Sequence, residues 1–267
     1  MSDLARLATH LDGLGRVLLG YSGGVDSALL AVVAAKALGP ARFLAVLGVS
    51  PSVPAAQCAA ARDLATRFQV PLLEIDTNEL EDPRYAANPV DRCYFCKSEL
   101  WARLQHLRTQ NSWDVVIDGS HADDAGDHRP GARAAEERAV RSPLAELGWR
   151  KADVRAAAHT LDLPVWDAPA APCLASRIRY GLGVTADRLG QVEAGEAFLR
   201  SLGLSGDLRV RHHGDLARIE VEPGWFTRLD AEWSTVERAF QGLGFARVER
   251  DPRGYRRGSL LAVVEPA

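Results

Sequence analysis

Ser22-Gly23-Gly24-Val25-Asp26-Ser27 is the stretch of this chain whose residue types most directly suggest chemistry. Two adjacent glycines let a backbone approach a ligand closely, and the hydroxyls of Ser22 and Ser27 add donors. The apolar run before it, Val17-Leu18-Leu19-Gly20, reads as a buried strand, and residues 28–38 read as a helix rich in Ala, Leu and Val. A Gly-rich turn at that junction presents to phosphate the unpaired N–H groups and positive dipole end of a helix. Asp26 is the odd member, because a carboxylate beside phosphates calls for Mg2+ between them. The plain alternative is a tight turn with a Ser/Asp cap, and the number of specified positions in this strand–turn–helix context argues against it. No lysine follows the glycines, so this is not a Walker A loop, and G-x-G-x-x-G is absent too.

The cysteines come next. Cys58 lies among alanines and reads as a small buried residue. Cys93 and Cys96 form a C-x-x-C in what reads as a loop, ahead of a helix over residues 98–107. Alone, that spacing serves zinc, a redox pair or an iron–sulfur site. Cys173 follows Pro169 and Pro172 in an extended lead-in, with Arg177 and Arg179 just beyond. A guanidinium beside a cysteine favours its thiolate. A buried connector cysteine is the weaker alternative, since such loops lie at surfaces.

Other polar groupings are candidates for binding. Asp118-Gly119-Ser120-His121-Ala122-Asp123-Asp124 puts five polar side chains into seven positions at a predicted strand end. Gly119 and Asp123 are its candidate nucleotide or Mg2+ contacts, against the reading of a solvated turn. Arg209 and Arg211 flank Val210 and share one face of a predicted strand, which suits a phosphate, with surface solvation as the rival. Glu220 and Glu222 also share a face and suit a metal, and Arg256 and Arg257 are further phosphate candidates.

Elements must position these residues. Strands are predicted at Val17–Tyr21, 42–48, Leu72–Asp76 and 115–118, and helices at 3–14, 26–38, 53–68 and 151–161, with a polar loop at 79–89. This alternation predicts an α/β fold, a doubly wound and mostly parallel sheet with its ligand at the carboxyl ends of the strands. A helix over 184–202, a hairpin of Leu208–His212 and Leu216–Val221, and a helix over 230–243 predict a smaller α+β C-terminal domain. The expected boundaries are 1–176 for the nucleotide domain and 177–267 for substrate binding and oligomerisation.

Composition sets limits. The chain has 267 residues, 47% of them hydrophobic, enough for one large domain or two modest ones. No segment is long and apolar enough to span a membrane, and the N-terminus lacks the features of a secretory signal, so a cytoplasmic location is expected. A net charge of −3 argues against nucleic-acid binding through an overall basic surface. Four cysteines in this length make no disulfide framework. There is no internal repeat or low-complexity linker.

The SGGVDS string resembles the loop of the PP-loop ATP pyrophosphatases, which split ATP between its α and β phosphates. Taken with DGSHADD, RSPLAELGWRKADVR, APCLASRIRYG, RVRHHGDLARIEV and GYRRGSL, nearly the whole chain resembles the LarE family of ATP-dependent sulfur transferases. That resemblance implies a PP-loop domain with a smaller C-terminal domain, a homotrimer or homohexamer, and no nucleic-acid or membrane partner. It implies ATP and Mg2+ at Ser22, Gly23, Gly24, Val25, Asp26 and Ser27. The implied substrate is a pyridinium dicarboxylate mononucleotide whose carboxylates become thiocarboxylates during synthesis of a nickel-pincer nucleotide.

Two sulfur routes follow from the resemblance. In one, Cys173 attacks the acyl-adenylate and gives up its own sulfur, leaving dehydroalanine. In the other, Cys93, Cys96 and Cys173 hold a 4Fe-4S cluster whose remaining iron carries the sulfide, with zinc as an alternative metal. The C-x-x-C favours the cluster, and the three cysteines are expected to meet beside the adenylation site. A PP-loop tRNA thiolase, an amide-forming synthetase or a non-catalytic nucleotide-binding protein would share the first loop. The overall charge does not support the first, and Asp26 with Ser22 and Ser27 argues against the last.

Overall fold

The computed structural model describes residues 3–124, 130–169 and 172–256. Its elements are, in chain order, α1 (Asp3–Asp12), β1 (Val17–Tyr21), α2 (Val25–Leu38), β2 (Phe43–Val49), α3 (Ala55–Arg67), β3 (Leu72–Asp76), α4 (Pro83–Ala86), α5 (Arg92–Gln110) and β4 (Val115–Ile117). There follow α6 (Pro130–Glu136), α7 (Pro143–Glu146), α8 (Lys151–Thr160), α9 (Ala186–Ser201), β5 (Leu208–His212), β6 (Leu216–Val221), α10 (Phe226–Ala231), α11 (Trp233–Gly242) and β7 (Arg247–Arg250). The described residues of Met1–Glu79 and Asp91–Ala171 make one compact unit, and those of Leu80–Val90 and Pro172–Ala267 make another.

The first unit is α/β. Its four strands are parallel in the order β3-β2-β1-β4. Successive side chains of a strand point to opposite faces, and here both faces are covered. Val17, Leu19 and Tyr21 of β1 and Phe43, Ala45 and Leu47 of β2 join a core with Leu7, Leu11, Leu29, Val32, Leu64, Val154 and Ala158. Leu18, Val46 and Val116 point the other way, onto Trp101 and Leu104 of α5 and Ala134 and Ala135 of α6. Two buried faces explain why β1, β2 and β4 are nearly continuous apolar runs, whereas the edge strand β3 is only partly buried and carries Glu74 and Asp76. The strand order reverses at β1, since β2 lies on one side of it and β4 on the other. Ligands of open α/β sheets bind at such a switch point, outside the carboxyl ends of the strands.

The C-x-x-C differs from its expectation. α5 starts at Arg92, so Cys93 and Cys96 lie in the first turns of a helix and not in a loop. Cys, Tyr and Phe are only middling helix formers, and burial of Trp101 and Leu104 farther along carries the element.

The second unit has a three-stranded sheet in the order β5-β6-β7, with β5 antiparallel and β7 parallel to β6. Val210, Ile219 and Val221 pack there with Leu199, Val236 and Phe240 of its helices. β7 carries three charged residues in four and was not anticipated. The helix expected over 230–243 is α11, which starts at Trp233, and the first residues of that span instead end a separate helix, α10. The polar stretch at 79–89 contains the short α4, and its end is anchored. Asn88 is fully buried, and its amide donates to the carbonyls of Ile178, Arg179 and Leu182. Among the described residues, no helix is long and apolar enough to cross a membrane.

Candidate active site

The loop after β1 is closed by its own hydroxyls. Ser27 Oγ donates to the Gly24 carbonyl at 3.0 Å, accepts from the Ser22 N–H at 3.2 Å and lies 3.1 Å from Ser22 Oγ. Gln57 of α3 donates to the Ser22 carbonyl. Gly24 is the N-cap of α2 and brings no side-chain cap. The first-turn N–H groups of a helix lack intrahelical partners, so Val25, Asp26 and Ser27 supply the donors a phosphate needs.

Gly23 is required by geometry. Its φ is +74°, and a Cβ there would stand 2.8 Å from the Ala61 Cβ. Gly23→Ala is therefore expected to destabilise the fold by about 1–3 kcal/mol and to weaken ATP binding, as a thermal melt and a nucleotide titration would report.

The turn after β4 packs against this loop. A Cβ on Gly119 would lie 3.0 Å from the Ser27 backbone nitrogen and 3.2 Å from the Asp26 Cβ, so glycine permits the close approach. Asp118 ties the turn together by accepting from the Ser120 N–H and hydroxyl and from the Ser142 hydroxyl. Asp123 accepts from the Lys151 N–H at 2.8 Å and thereby caps α8. That interaction gives Asp123 a structural task beyond the nucleotide contact expected from sequence.

Lys151 was missed as a site residue. Its Nζ lies 2.7 Å from both carboxylate oxygens of Asp26. The sequence reading treated it only as a helix start. A lysine in the first turn of a helix puts positive charge at the positive end of the dipole, and that mismatch was the available signal. The Asp26 side chain is 26% exposed, so it remains within reach of solvent and ligand. A part-exposed carboxylate beside the unpaired N–H groups of a helix start suits Mg2+, which takes one or two carboxylates and fills its shell with phosphate oxygens and water.

The cysteines divide between the units. Cys93 and Cys96, in α5, are exposed and half-buried. Spaced three apart on a helix, they share a face, so both thiols can serve one soft metal group. Cys173 is half-buried and caps a 3-10 turn over Leu174–Arg177 in the second unit. Its carbonyl accepts from Ser176 Oγ at 2.7 Å and from Arg177 Nη1 at 3.0 Å, which fixes the backbone beneath the thiol. Arg177 was expected to present its charge to the thiol. Instead its fork is engaged by Glu196, with Nε–Oε1 at 3.0 Å and Nη2–Oε2 at 3.1 Å, so its charge is matched by a buried carboxylate. Among the described residues, no group of three or more His, Cys, Asp or Glu side chains forms a metal site.

Arg209 and Arg211 are both buried, which removes surface solvation as their explanation. Arg211 pairs with buried Glu220 at 2.8 Å. Among the described residues, the carboxylate within ion-pair distance of Arg209 is that of Asp207, at 3.7 Å, and Arg209 lies over the Tyr255 ring. Burial, then the neighbouring Arg177 charge, pushes its guanidinium pKa down. An anion would relieve both costs. Glu220 is committed to Arg211, and Glu222 accepts from the Asp207 N–H, so this pair of acids serves the protein's own groups. Arg256 stands 3.7 Å from Asp251, and Arg257 lies outside the described residues.

A parallel β3-β2-β1-β4 sheet with SGGVDS at its switch point defines a PP-loop nucleotide-binding domain. The family model for NAD synthase matches residues 6–105. Glutamine-dependent NAD(+) synthetase of Rhodobacter capsulatus is 46% identical over 74 residues, only 28% of this chain and 13% of that protein. Two relatives match at full length. An uncharacterized protein of Synechocystis sp. is 43% identical over 98% of each chain. Pyridinium-3,5-bisthiocarboxylic acid mononucleotide synthase of Lactiplantibacillus plantarum is 35% identical over 96% of this chain and 92% of that one. The chain belongs to the family of that synthase, the LarE family, and is an ATP-using enzyme.

Proposed function

We propose that the protein is a sulfur transferase that adenylates a carboxylate of a pyridinium dicarboxylate mononucleotide and converts it to a thiocarboxylate, releasing AMP and pyrophosphate. The observation that carries this reading is the hydroxyl-closed SGGVDS loop at the switch point, in a chain alike over its length to a bisthiocarboxylic acid mononucleotide synthase. A carboxylate is a poor acyl donor, and an AMP leaving group makes it a good one. The N–H groups of Val25, Asp26 and Ser27 would hold the departing pyrophosphate, and Asp26 would hold Mg2+, which supplies charge neutralisation there.

Sulfur then has to reach the acyl carbon. In the sacrificial route the Cys173 thiolate displaces AMP to form a thioester. Loss of the Cα proton and cleavage of the Cβ–S bond leave the sulfur on the substrate and dehydroalanine in the chain. In the alternative, which the C-x-x-C favours, Cys93, Cys96 and Cys173 would hold a 4Fe-4S cluster, and three thiols suit it as donors. When bound, that cluster supplies a transferable sulfide on the iron that has no protein ligand.

Arg209 is the residue we assign to the mononucleotide phosphate. Arg209→Ala should raise KM for the mononucleotide about tenfold or more and leave KM for ATP unchanged, measured by steady-state kinetics. Equal changes in both would remove the assignment. The function itself is tested by incubating the protein with ATP, Mg2+, sulfide and the mononucleotide. AMP and a thiocarboxylate product found by mass spectrometry are expected. ATP consumption that ignores the mononucleotide would refute the reading.

A further inference from the structure

We infer that Tyr255 is the platform on which the pyridinium ring of the mononucleotide stacks while its phosphate lies on Arg209. The inference rests on the proposed mononucleotide substrate and on the assignment of Arg209 to its phosphate.

The segment that ends at Tyr255 is built to place it. After β7 the Asp251 N–H donates to the Ile219 carbonyl at 2.8 Å, which carries the chain on beside β6. The Asp251 carboxylate accepts from the Arg253 N–H at 2.8 Å, and the Asp251 carbonyl accepts from the Gly254 N–H at 3.0 Å, so a turn closes. Gly254 has a φ of +67°, and a Cβ there would stand 2.6 Å from the Val221 carbonyl oxygen. Glycine permits both the left-handed backbone and that close approach. The Tyr255 N–H then donates to the same Val221 carbonyl at 2.9 Å. The backbone beneath the ring is thereby fastened to the end of β6 with no ligand bound.

The ring itself meets Arg209, whose guanidinium carbon lies 5.1 Å from the ring centre. Arg209 is buried, whereas Tyr255 is only half-buried, so part of its ring remains accessible to a ligand. A mononucleotide carries its phosphate and its ring on either side of one ribose. Arg209 and Tyr255 offer it an anion receiver and an aromatic face side by side. The pyridinium ring is a cation, and the electron-rich face of a tyrosine attracts cations, more strongly when both are desolvated. In the empty protein that attraction serves the Arg209 guanidinium. A bound phosphate matches the Arg209 charge by direct charge-assisted hydrogen bonds. The aromatic ring is then free to serve the second cation. Tyr255 would thus let the site tell a charged pyridinium nucleotide from a bare sugar phosphate.

Binding measurements separate this role from mere support of Arg209. The pyridinium dicarboxylate mononucleotide and ribose 5-phosphate would each be titrated calorimetrically into the wild-type chain and into Tyr255→Leu and Tyr255→Phe. Tyr255→Leu should bind the mononucleotide about fivefold or more weakly, as loss of a cation–aromatic contact requires. Its affinity for ribose 5-phosphate should stay within about twofold of wild type, which also certifies that the second unit is folded and Arg209 in place. Tyr255→Phe keeps the ring and should bind both ligands as the wild type does. Unchanged mononucleotide affinity in Tyr255→Leu would overturn the inference. So would an equal loss of both ligands, which marks a ring that only holds Arg209, and so would a loss in Tyr255→Phe as large as in Tyr255→Leu, which moves the contact to the hydroxyl. A wild-type chain that binds neither ligand would instead refute the reading of the mononucleotide site, and this inference with it.

Discussion

Cys173→Ala should form no thiocarboxylate at all, while still releasing pyrophosphate when the mononucleotide and ATP are supplied. The adenylating groups are in the first unit, on the loop after β1, whereas Cys173 caps a turn in the second. Both sulfur routes need its thiol, and neither needs it for the AMP transfer that comes first. The loop around it should survive the change, because Ser176 and Arg177 grip the Cys173 carbonyl and not the sulfur. Its companions separate the routes. If Cys93 and Cys96 share a cluster with Cys173, each alanine variant loses both iron and sulfur transfer. If Cys173 is consumed, only its variant is inactive, and wild-type protein stops after one turnover with dehydroalanine in place of Cys173. Thiocarboxylate from Cys173→Ala would exclude both routes.

Asp26→Ala should lower the rate of pyrophosphate release by about a hundredfold or more, the usual scale for loss of a group that organises charge in the transition state. The carboxylate holds Lys151 and is the natural partner for Mg2+. Stability should change little, because a part-exposed ion pair contributes only about 0–1 kcal/mol. A melting temperature near wild type with a collapsed rate is therefore the expected pair of results. Wild-type rates in Asp26→Ala would remove this carboxylate from the chemistry.

The parts of the fold that could be read from sequence were those with local causes. β1 and β3 have the bounds expected, β1 as a short apolar run closed by the glycine loop and β3 as a short alternation of apolar and acidic residues between Pro71 and Asn78. β5 and β6 do too, because the turn between them marks the hairpin. The switch point followed from the strand–helix alternation, and Gly119 beside Ser27 places the second turn where that rule requires. What was hidden depends on distant partners. β7 is charged and short, and it exists because β6 offers a parallel edge. The start of α5 goes with burial of Arg92 in its first turn and of Trp101 and Leu104 farther along. Arg177 was read as a charge for Cys173 because the two are close in sequence. Its true counter-ion, Glu196, sits on α9 and has no signature near it. Lys151 meets Asp26 across most of the first unit's length, and no local pattern announces such a pair.

The central claim is that ATP activates a carboxylate of the substrate by transferring AMP to it. The direct test is to label the carboxylates of the pyridinium mononucleotide with a heavy oxygen isotope and follow the label through the reaction with ATP and Mg2+. When sulfur or water cleaves the acyl-adenylate, one labelled oxygen must leave with AMP. Mass spectrometry should therefore find AMP carrying the label, formed in step with pyrophosphate. Unlabelled AMP, or ADP with inorganic phosphate in its place, would contradict the account.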